Sequence, residues 1–350
     1  MLKEMTDALK KELDKISFEE IAGKNTSPDS VTTDLNLYDG RNTQFGYADI
    51  SWTSTKPETV SPSGFVMCGE TEQTVTLTAT FTYQDYPDLK GELTFTVTVP
   101  PSDGKDESAA LDTNKIRIFI AGDSTACNYP HTGANNRYPQ TGWGQVFGEL
   151  FTDDVLVVNC ARSGRSSKSF LREENYKFIC DNIQKGDYLF IQFAHNDCKA
   201  EDASRYTSPY DNSYQECIYK FIDTARSADA YPVLCTSITR NLPHDTTLVP
   251  YGNALKQISE KEDIPLLDIY KITHTQLAEE GEERHGLLHM RLNPRDERFT
   301  DNPEFKQSQY YESGGKDNTH LNINGARVIA KIAADELVRI NHPLVKYLRK

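Results

Sequence analysis

Two periodicities divide this 350-residue chain near residue 100. Ahead of that point, the stretches 74–83 (TVTLTATFTY) and 92–99 (ELTFTVTV) alternate threonine with apolar residues at period two. That pattern marks half-buried antiparallel strands. Beyond it, short apolar runs at 116–121, 155–159, 188–193, 232–237 and 264–268 are separated by helical patterns near 143–151, 170–184, 211–229, 250–262 and 322–341. Runs apolar at successive positions are covered on both faces. Five such strands interleaved with helices predict right-handed crossovers and a doubly wound parallel sheet. The stretch 100–108 (PPSDGKDES) between the two regimes is too polar and too rich in turn formers to pack. The predicted layout is therefore residues 1–100, a short helix (Leu2, Met5, Leu9 and Leu13 at helical spacing) plus a small β-sandwich with turns at Gly40, Gly46, Pro57, Pro62, Gly64 and Gly91; a linker over 101–114; and an α/β domain over 115–350.

The balance of charge narrows the partners. Acidic residues exceed basic ones by enough to leave a formal charge of -14, which argues against nucleic acid or an anionic membrane surface. No stretch approaches the roughly 20 apolar residues of a membrane span. The start, Met1 to Leu9, is charged and amphipathic without a signal-type apolar core. It predicts a cytoplasmic protein, the alternative being a secreted or cell-surface chain whose leader has been removed. Seven cysteines, with no C-x-x-C spacing, predict reduced thiols rather than a disulfide framework.

Chemistry is expected where the first buried strand ends. Ile116, Ile118, Phe119 and Ile120 run into Gly122, and Asp123 and Ser124 then fall at the carboxyl edge of the sheet, where open α/β folds keep their ligand sites. A serine nucleophile there needs a base, a group orienting the base, and donors for an oxyanion. Asp317 and His320, three apart in a polar turn before the last helix, supply the first two, and Asn322 is placed to cap that helix. Gly164 after the second strand offers an unencumbered backbone N–H, and Asn196 after the third offers a side-chain amide.

Gly122-Asp123-Ser124, Gly164, Asn196 and Asp317-x-x-His320 resemble, in order and position, the four blocks of the SGNH (GDSL-like) hydrolases. The flanking words Gly122-Asp123-Ser124-Thr125, Thr141-Gly142-Trp143-Gly144-Gln145, the run 161–167 (ARSGRSS), Ala194-His195-Asn196-Asp197 and Asp317-Asn318-Thr319-His320 are similar to the rhamnogalacturonan acetylesterase branch. The resemblance covers roughly Lys115 to the end. It implies a flavodoxin-like three-layer α/β/α fold around a five-stranded parallel sheet, and removal of O-acetyl groups from plant cell-wall polysaccharide or its oligosaccharides without metal or cofactor. By position it makes Ser124 the nucleophile, His320 the base and Asp317 the orienting acid. The oxyanion hole would comprise the Ser124 and Gly164 N–H groups and the Asn196 amide. One departure is Ala194, where the family usually has Gly. In the front region, the word 48–58 (ADISWTSTKPE) with the two Thr-rich strands resembles atypical bacterial Ig-like modules attached to glycan-active enzymes.

Other residues carry two readings each. His195 lines the acetyl pocket or orients its loop; Arg162 and Arg165 meet a uronate carboxylate or pair with surface acids. Trp143 packs or joins Gln145 beside the substrate groove, and loop tyrosines (Tyr129, Tyr138, Tyr310, Tyr311) suit sugar stacking. Asp123 anchors the nucleophile loop. The 142–148 segment lacks the spacing and the preceding strand of a dinucleotide fingerprint. His285 and His289 stand four apart but lack a third metal ligand and a hydrolytic Glu, and are read as solvent-exposed. Rival functions are a general acyl esterase of lipase type, which wants a long apolar channel that the polar, aromatic loops 127–142 and 284–316 do not suggest, and an inactive glycan-binding protein on the hydrolase fold, against which the intact Ser124, Asp317 and His320 speak.

Overall fold

The computed structural model describes residues 2–62, 64–66, 71–83, 85–101, 111, 114–132 and 136–349. Most of the expected linker, 102–110 and 112–113, lies outside the described residues. The chain forms two compact units, one of Met1–Leu111 with Pro130–Arg137 and one of Asp112–Tyr129 with Tyr138–Lys350.

The first unit is built on an antiparallel sheet in the order β1 (Gly40–Thr43), β2 (Gly46–Ser54), β3 (Gln73–Thr82), β4 (Lys90–Val99). The period-two pattern sends Val75, Leu77, Ala79 and Phe81 to one face and the intervening threonines to the other. Register then sets Leu77 opposite Phe95, Val75 opposite Val97 and Ala79 opposite Trp52, so apolar pairs line one continuous face. Trp52 stacks on Phe95 and donates its indole N–H to the Tyr38 carbonyl at 2.8 Å. The sandwich expectation needs correction in one respect. Among the described residues the layer over this face is not a second sheet but helix α1 (Leu2–Leu13), through Leu9 and Leu13, with Ile16, Ile21, Val31 and Leu35. Strands paired on one side only still need that face buried, and the amphipathic helix supplies the cover.

The second unit carries a five-stranded parallel sheet: β5 (Ile116–Gly122), β6 (Val155–Asn159), β7 (Tyr188–Gln192), β8 (Tyr231–Cys235) and β9 (Leu266–Leu267), in spatial order β6-β5-β7-β8-β9. Between them run α2 (Trp143–Phe147), α3 (Ser167–Phe170), α4 (Glu174–Asn182), α5 (Ser213–Ser227) and α6 (Val249–Glu262). After them come α7 (Ile269–His285), β10 (His289–Leu292), α8 (Pro303–Gln307), β11 (Gly315–Leu321) and α9 (Ile323–Arg339). Ile118, Ile120, Phe190 and Val233 form one cluster with Trp143 and Phe147 of α2 and with Ala326, Ile329, Ala333 and Leu337 of α9. On α5, Ile218, Phe221, Ile222 and Ala225 recur at helical spacing, and Phe221 stacks on Phe193 just past β7. The result is the expected α/β/α arrangement. The chain leaves β5 first to one side (β6) and then to the other (β7), which opens a crevice at the carboxyl end of β5.

Arg117 sits inside β5, only 2% exposed. Its guanidinium grips Asp187 through two bonds, Nε to Oδ1 at 2.9 Å and Nη2 to Oδ2 at 2.5 Å, and Nη2 also reaches the Asn182 carbonyl. Asp187→Ala would strand a buried cation, and the expected cost is about 3–5 kcal/mol. A denaturation midpoint lowered at constant slope checks it, whereas a wild-type midpoint would contradict it. Among the described residues no two cysteines form a disulfide, and burial pushes the Cys160 and Cys235 thiols up. No helix among the described residues is long and apolar enough to cross a membrane.

Candidate active site

Ser124 follows β5 directly, in the turn the crevice predicts, and is 6% exposed. Its loop is held from within by Asp123, whose fully buried Oδ1 accepts from the Thr125 amide at 2.9 Å and the Thr125 hydroxyl at 2.7 Å. Burial raises the Asp123 pKa, and these bonds, with the positive potential of His320, pull the other way. Gly142 presses on the loop from outside. A Cβ there would lie 2.2 Å from the Cys127 carbonyl oxygen and 2.4 Å from the Ala126 carbonyl carbon, so only glycine permits this approach.

The Asp317 and His320 segment is strand β11, paired with β10, rather than the free polar turn expected. Its pairing is irregular at the site. His289 opposes Leu321 while Arg291 opposes Lys316, so extra β11 residues, Asp317 to His320 among them, bulge out of the ladder. Asp317 Oδ1 accepts from the Thr319 and His320 amides at 2.7 and 3.0 Å, and Oδ2 lies 2.6 Å from His320 Nδ1. Burial opposes ionisation of Asp317, yet the His320 ring and these amides together hold its carboxyl well below the usual range. A carboxylate on Nδ1 fixes the tautomer that leaves Nε2 as the proton acceptor. Asn322 caps α9 as expected, accepting from the Asn324 and Gly325 amides.

Tyr129 joins the serine segment to the histidine segment. Its hydroxyl donates to the Ser124 carbonyl at 2.8 Å, and its ring stands edge-on to His320 with centroids 6.4 Å apart. Two further links tie the same segments: Trp143 N to Thr125 O and Thr141 N to Leu321 O, both 3.0 Å. The other strand ends close on the crevice. The Arg162 amide donates to the Gly122 carbonyl, and the Asn196 Nδ2 donates to the Arg165 carbonyl at 3.0 Å, which brings the Asn196 amide to the Gly164 turn. Gly164 has φ +74°, a backbone conformation glycine reaches without strain. Asp197 anchors this corner from below, bonded to Ser167 and Thr207, with burial pushing its pKa up to about 7. Ala194 is buried, and its carbonyl accepts from the Cys198 amide at 3.1 Å, so the turn closes with the methyl in place.

Several residues expected to face substrate serve the scaffold instead. Trp143 is fully buried and donates to Gln192 Oε1 at 2.8 Å. Gln145 spends both ends of its amide on the Tyr129 backbone. Arg162 and Arg165 both pair with Glu173, at 2.8 and 2.9 Å. Tyr129 and Tyr138 are buried, the latter among Phe299, Phe305 and Met290. His285 and His289 are not exposed but 1% accessible each, with His285 Nδ1 on Asn241 Oδ1 at 3.1 Å and the rings 5.0 Å apart. Burial pushes the His289 pKa down to about 4. His195 is 3% exposed, neither ring nitrogen is hydrogen-bonded among the described residues, and burial, with Arg240 and His320 nearby, keeps it neutral. Among the described residues no three His, Cys, Asp or Glu side chains group to hold a metal.

Residues 120–328 match the GDSL-like Lipase/Acylhydrolase family, and residues 10–102 match the atrophied bacterial Ig domain. The chain belongs to the GDSL-like lipase/acylhydrolase family. Relatives include the rhamnogalacturonan acetylesterase RhgT of Bacillus subtilis (strain 168), 37% identical over 238 residues, 67% of this chain and 94% of that one. A second from the same strain, "Probable rhamnogalacturonan acetylesterase YesY", is 30% identical over 237 residues, 67% of this chain and 97% of that one. In fold the chain is similar to the crystal structure of protein YxiM from Bacillus subtilis, at TM-score 0.52 and 18% identity, covering 87% of this chain and 94% of that one. In this GDSL-like hydrolase the matched segment spans the Ser124 turn, the Gly164 and Asn196 turns and the Asp317–His320 bulge.

Proposed function

We propose that this GDSL-like hydrolase is a carbohydrate acetylesterase working through an acetyl-enzyme on Ser124. The observation that carries the reading is the 2.6 Å Asp317–His320 contact on a bulge tied through Tyr129 to the Ser124 turn. The Ser124 oxygen attacks the acetyl carbonyl, and His320 Nε2 takes its proton and passes it to the departing sugar hydroxyl. Water, deprotonated by the same imidazole, then releases acetate. The amides of Ser124 and Gly164 and the Asn196 side chain receive the oxyanion, with the Arg165 carbonyl fixing the Asn196 amide plane. Kinship with relatives named rhamnogalacturonan acetylesterase supports an acetylated cell-wall polysaccharide, or its oligosaccharides, as substrate.

Acetate release from acetylated rhamnogalacturonan, acetylated xylan and their oligomers tests the reading. Release from at least one carbohydrate, at rates above those for long-chain acyl esters, is expected; long-chain preference would contradict it. Asn196→Ala should lower kcat by on the order of 100-fold or more with KM little changed, because the lost donor acts on the developing anion. An unchanged kcat would remove Asn196 from the oxyanion hole.

A further inference from the structure

Asp317 and His320 stand on residues that have left the β10–β11 ladder, so the backbone there needs partners elsewhere. Asn318, the residue after Asp317, finds them on Asn241, which is fully buried in the loop beyond β8. The Asn241 amide donates to the Asn318 carbonyl at 2.8 Å, and its Nδ2 reaches Asn318 Oδ1 at 3.5 Å. Arg291 Nη1 donates to the same Asn318 Oδ1 at 3.3 Å and is paired with Glu282 at 2.8 Å.

Asn241 is held in turn by the last turn of α7. Its Nδ2 donates to the Glu282 carbonyl at 3.0 Å, and its Oδ1 lies 3.1 Å from His285 Nδ1. An amide oxygen only accepts, so His285 carries its proton on Nδ1. The same reasoning puts the His289 proton on Nδ1, which faces the His285 carbonyl at 3.3 Å. A Cβ at Gly286 would lie 3.0 Å from Asn241 Nδ2, so glycine lets the end of α7 close on this side chain. His289 opposes Leu321 in the ladder, and its carbonyl accepts from Asn322 Nδ2 at 2.8 Å. The two histidines thus brace the bulge at both ends, His285 through Asn241 and Asn318, His289 through Leu321 and Asn322.

We propose that the buried Asn241–His285 pair is a positioning device that holds the Asp317–His320 bulge in its reactive geometry, with His289 completing the support. This rests on the serine esterase reading and adds to it residues that act through Asn318 rather than on substrate. Their bonds set the direction from which Asp317 meets His320 Nδ1. Misplacing a reacting group by about 1 Å can cost about 100-fold in rate.

The test records turnover of 4-nitrophenyl acetate, a melting curve, and the downfield proton resonance of the His320 Nδ1–Asp317 contact. Asn241→Ala should lower kcat about 10- to 100-fold with KM within about twofold, and should broaden the resonance away. The asparagine amide of His285→Asn sits near the place of Nδ1 and still donates to Asn241 Oδ1, so that variant should keep most of the wild-type kcat. His285→Leu, which cannot donate, should lose about tenfold. This second pair decides the matter where Asn241→Ala does not fold. Asp187→Ala, destabilised at the opposite end of β7 from Asn196, should keep both kcat and the resonance in its folded fraction. A kcat for Asn241→Ala within about twofold of the wild type, equal losses in His285→Asn and His285→Leu, or an equal fall in Asp187→Ala overturns the positioning role and leaves the esterase reading intact. A wild type that hydrolyses no acetyl ester overturns the esterase reading instead. The resonance needs no turnover and then decides the positioning role, which falls if Asn241→Ala retains it.

Discussion

Ser124→Ala should lower kcat for acetyl-ester hydrolysis by at least about 10,000-fold while the thermal midpoint stays near that of the wild type. The side chain loses one oxygen at a buried position, and among the described residues no hydrogen bond of the Ser124 hydroxyl supports the fold; the loop is held by Asp123, Tyr129 and the Trp143 amide. Activity and stability therefore separate at this residue. What survives should be the residual effect of oxyanion donors and substrate binding. Release of 4-nitrophenol from 4-nitrophenyl acetate, set beside a melting curve, makes the measurement. A variant that melts normally and keeps wild-type turnover would remove the nucleophile.

Asp317→Asn should be nearly as damaging, with kcat falling on the order of 1,000- to 10,000-fold. Asparagine can still accept from the Thr319 and His320 amides through its oxygen, so the bulge should hold its shape. What changes is the atom facing His320 Nδ1, which becomes a donor. The ring must then carry its proton on Nε2, where it can no longer take one from Ser124. Ionised Asp317 also stabilises the imidazolium formed in the transition state, and its strongly lowered pKa expresses that preference. Kinetics with a normal KM, together with a ring-nitrogen NMR spectrum showing the switched tautomer, would establish the role. Full activity would show that the 2.6 Å contact is only structural.

Much of this was legible in the residues because the signals were local or regularly spaced. The uninterrupted apolar runs at 116–121 and 188–193 gave the central strands, and the crossover pattern put Ser124 at the switch point. The Asn322 cap followed from its place before an amphipathic run. Long-range pairing was not legible. That α1 would cover the Thr-rich sheet depends on contacts between Leu9, Leu13 and the sheet face, which periodicity does not encode. Strand β10 gave no usable pattern, since its four residues pair with β11 through an irregular register. Trp143, Gln145, Arg162 and Arg165 lie in the family's own words yet spend their polar groups on Gln192, Tyr129 and Glu173. Residue type near a motif signals proximity to the site, not orientation into it. His285 and His289 were misplaced for a related reason, because their burial depends on Asn241, far away in sequence. Tyr129 is in sequence one of four loop tyrosines that suit sugar stacking, and only its hydroxyl bond to the Ser124 carbonyl reveals its part in joining the two halves of the site.

Covalent labelling with a fluorophosphonate, followed by peptide mapping, asks most directly whether Ser124 is the nucleophile. Inactivation should track one phosphonyl group per chain, on the peptide containing Ser124, and should slow sharply in His320→Ala. Loss of activity with the label on another residue, or undiminished activity with Ser124 fully labelled, would contradict the account.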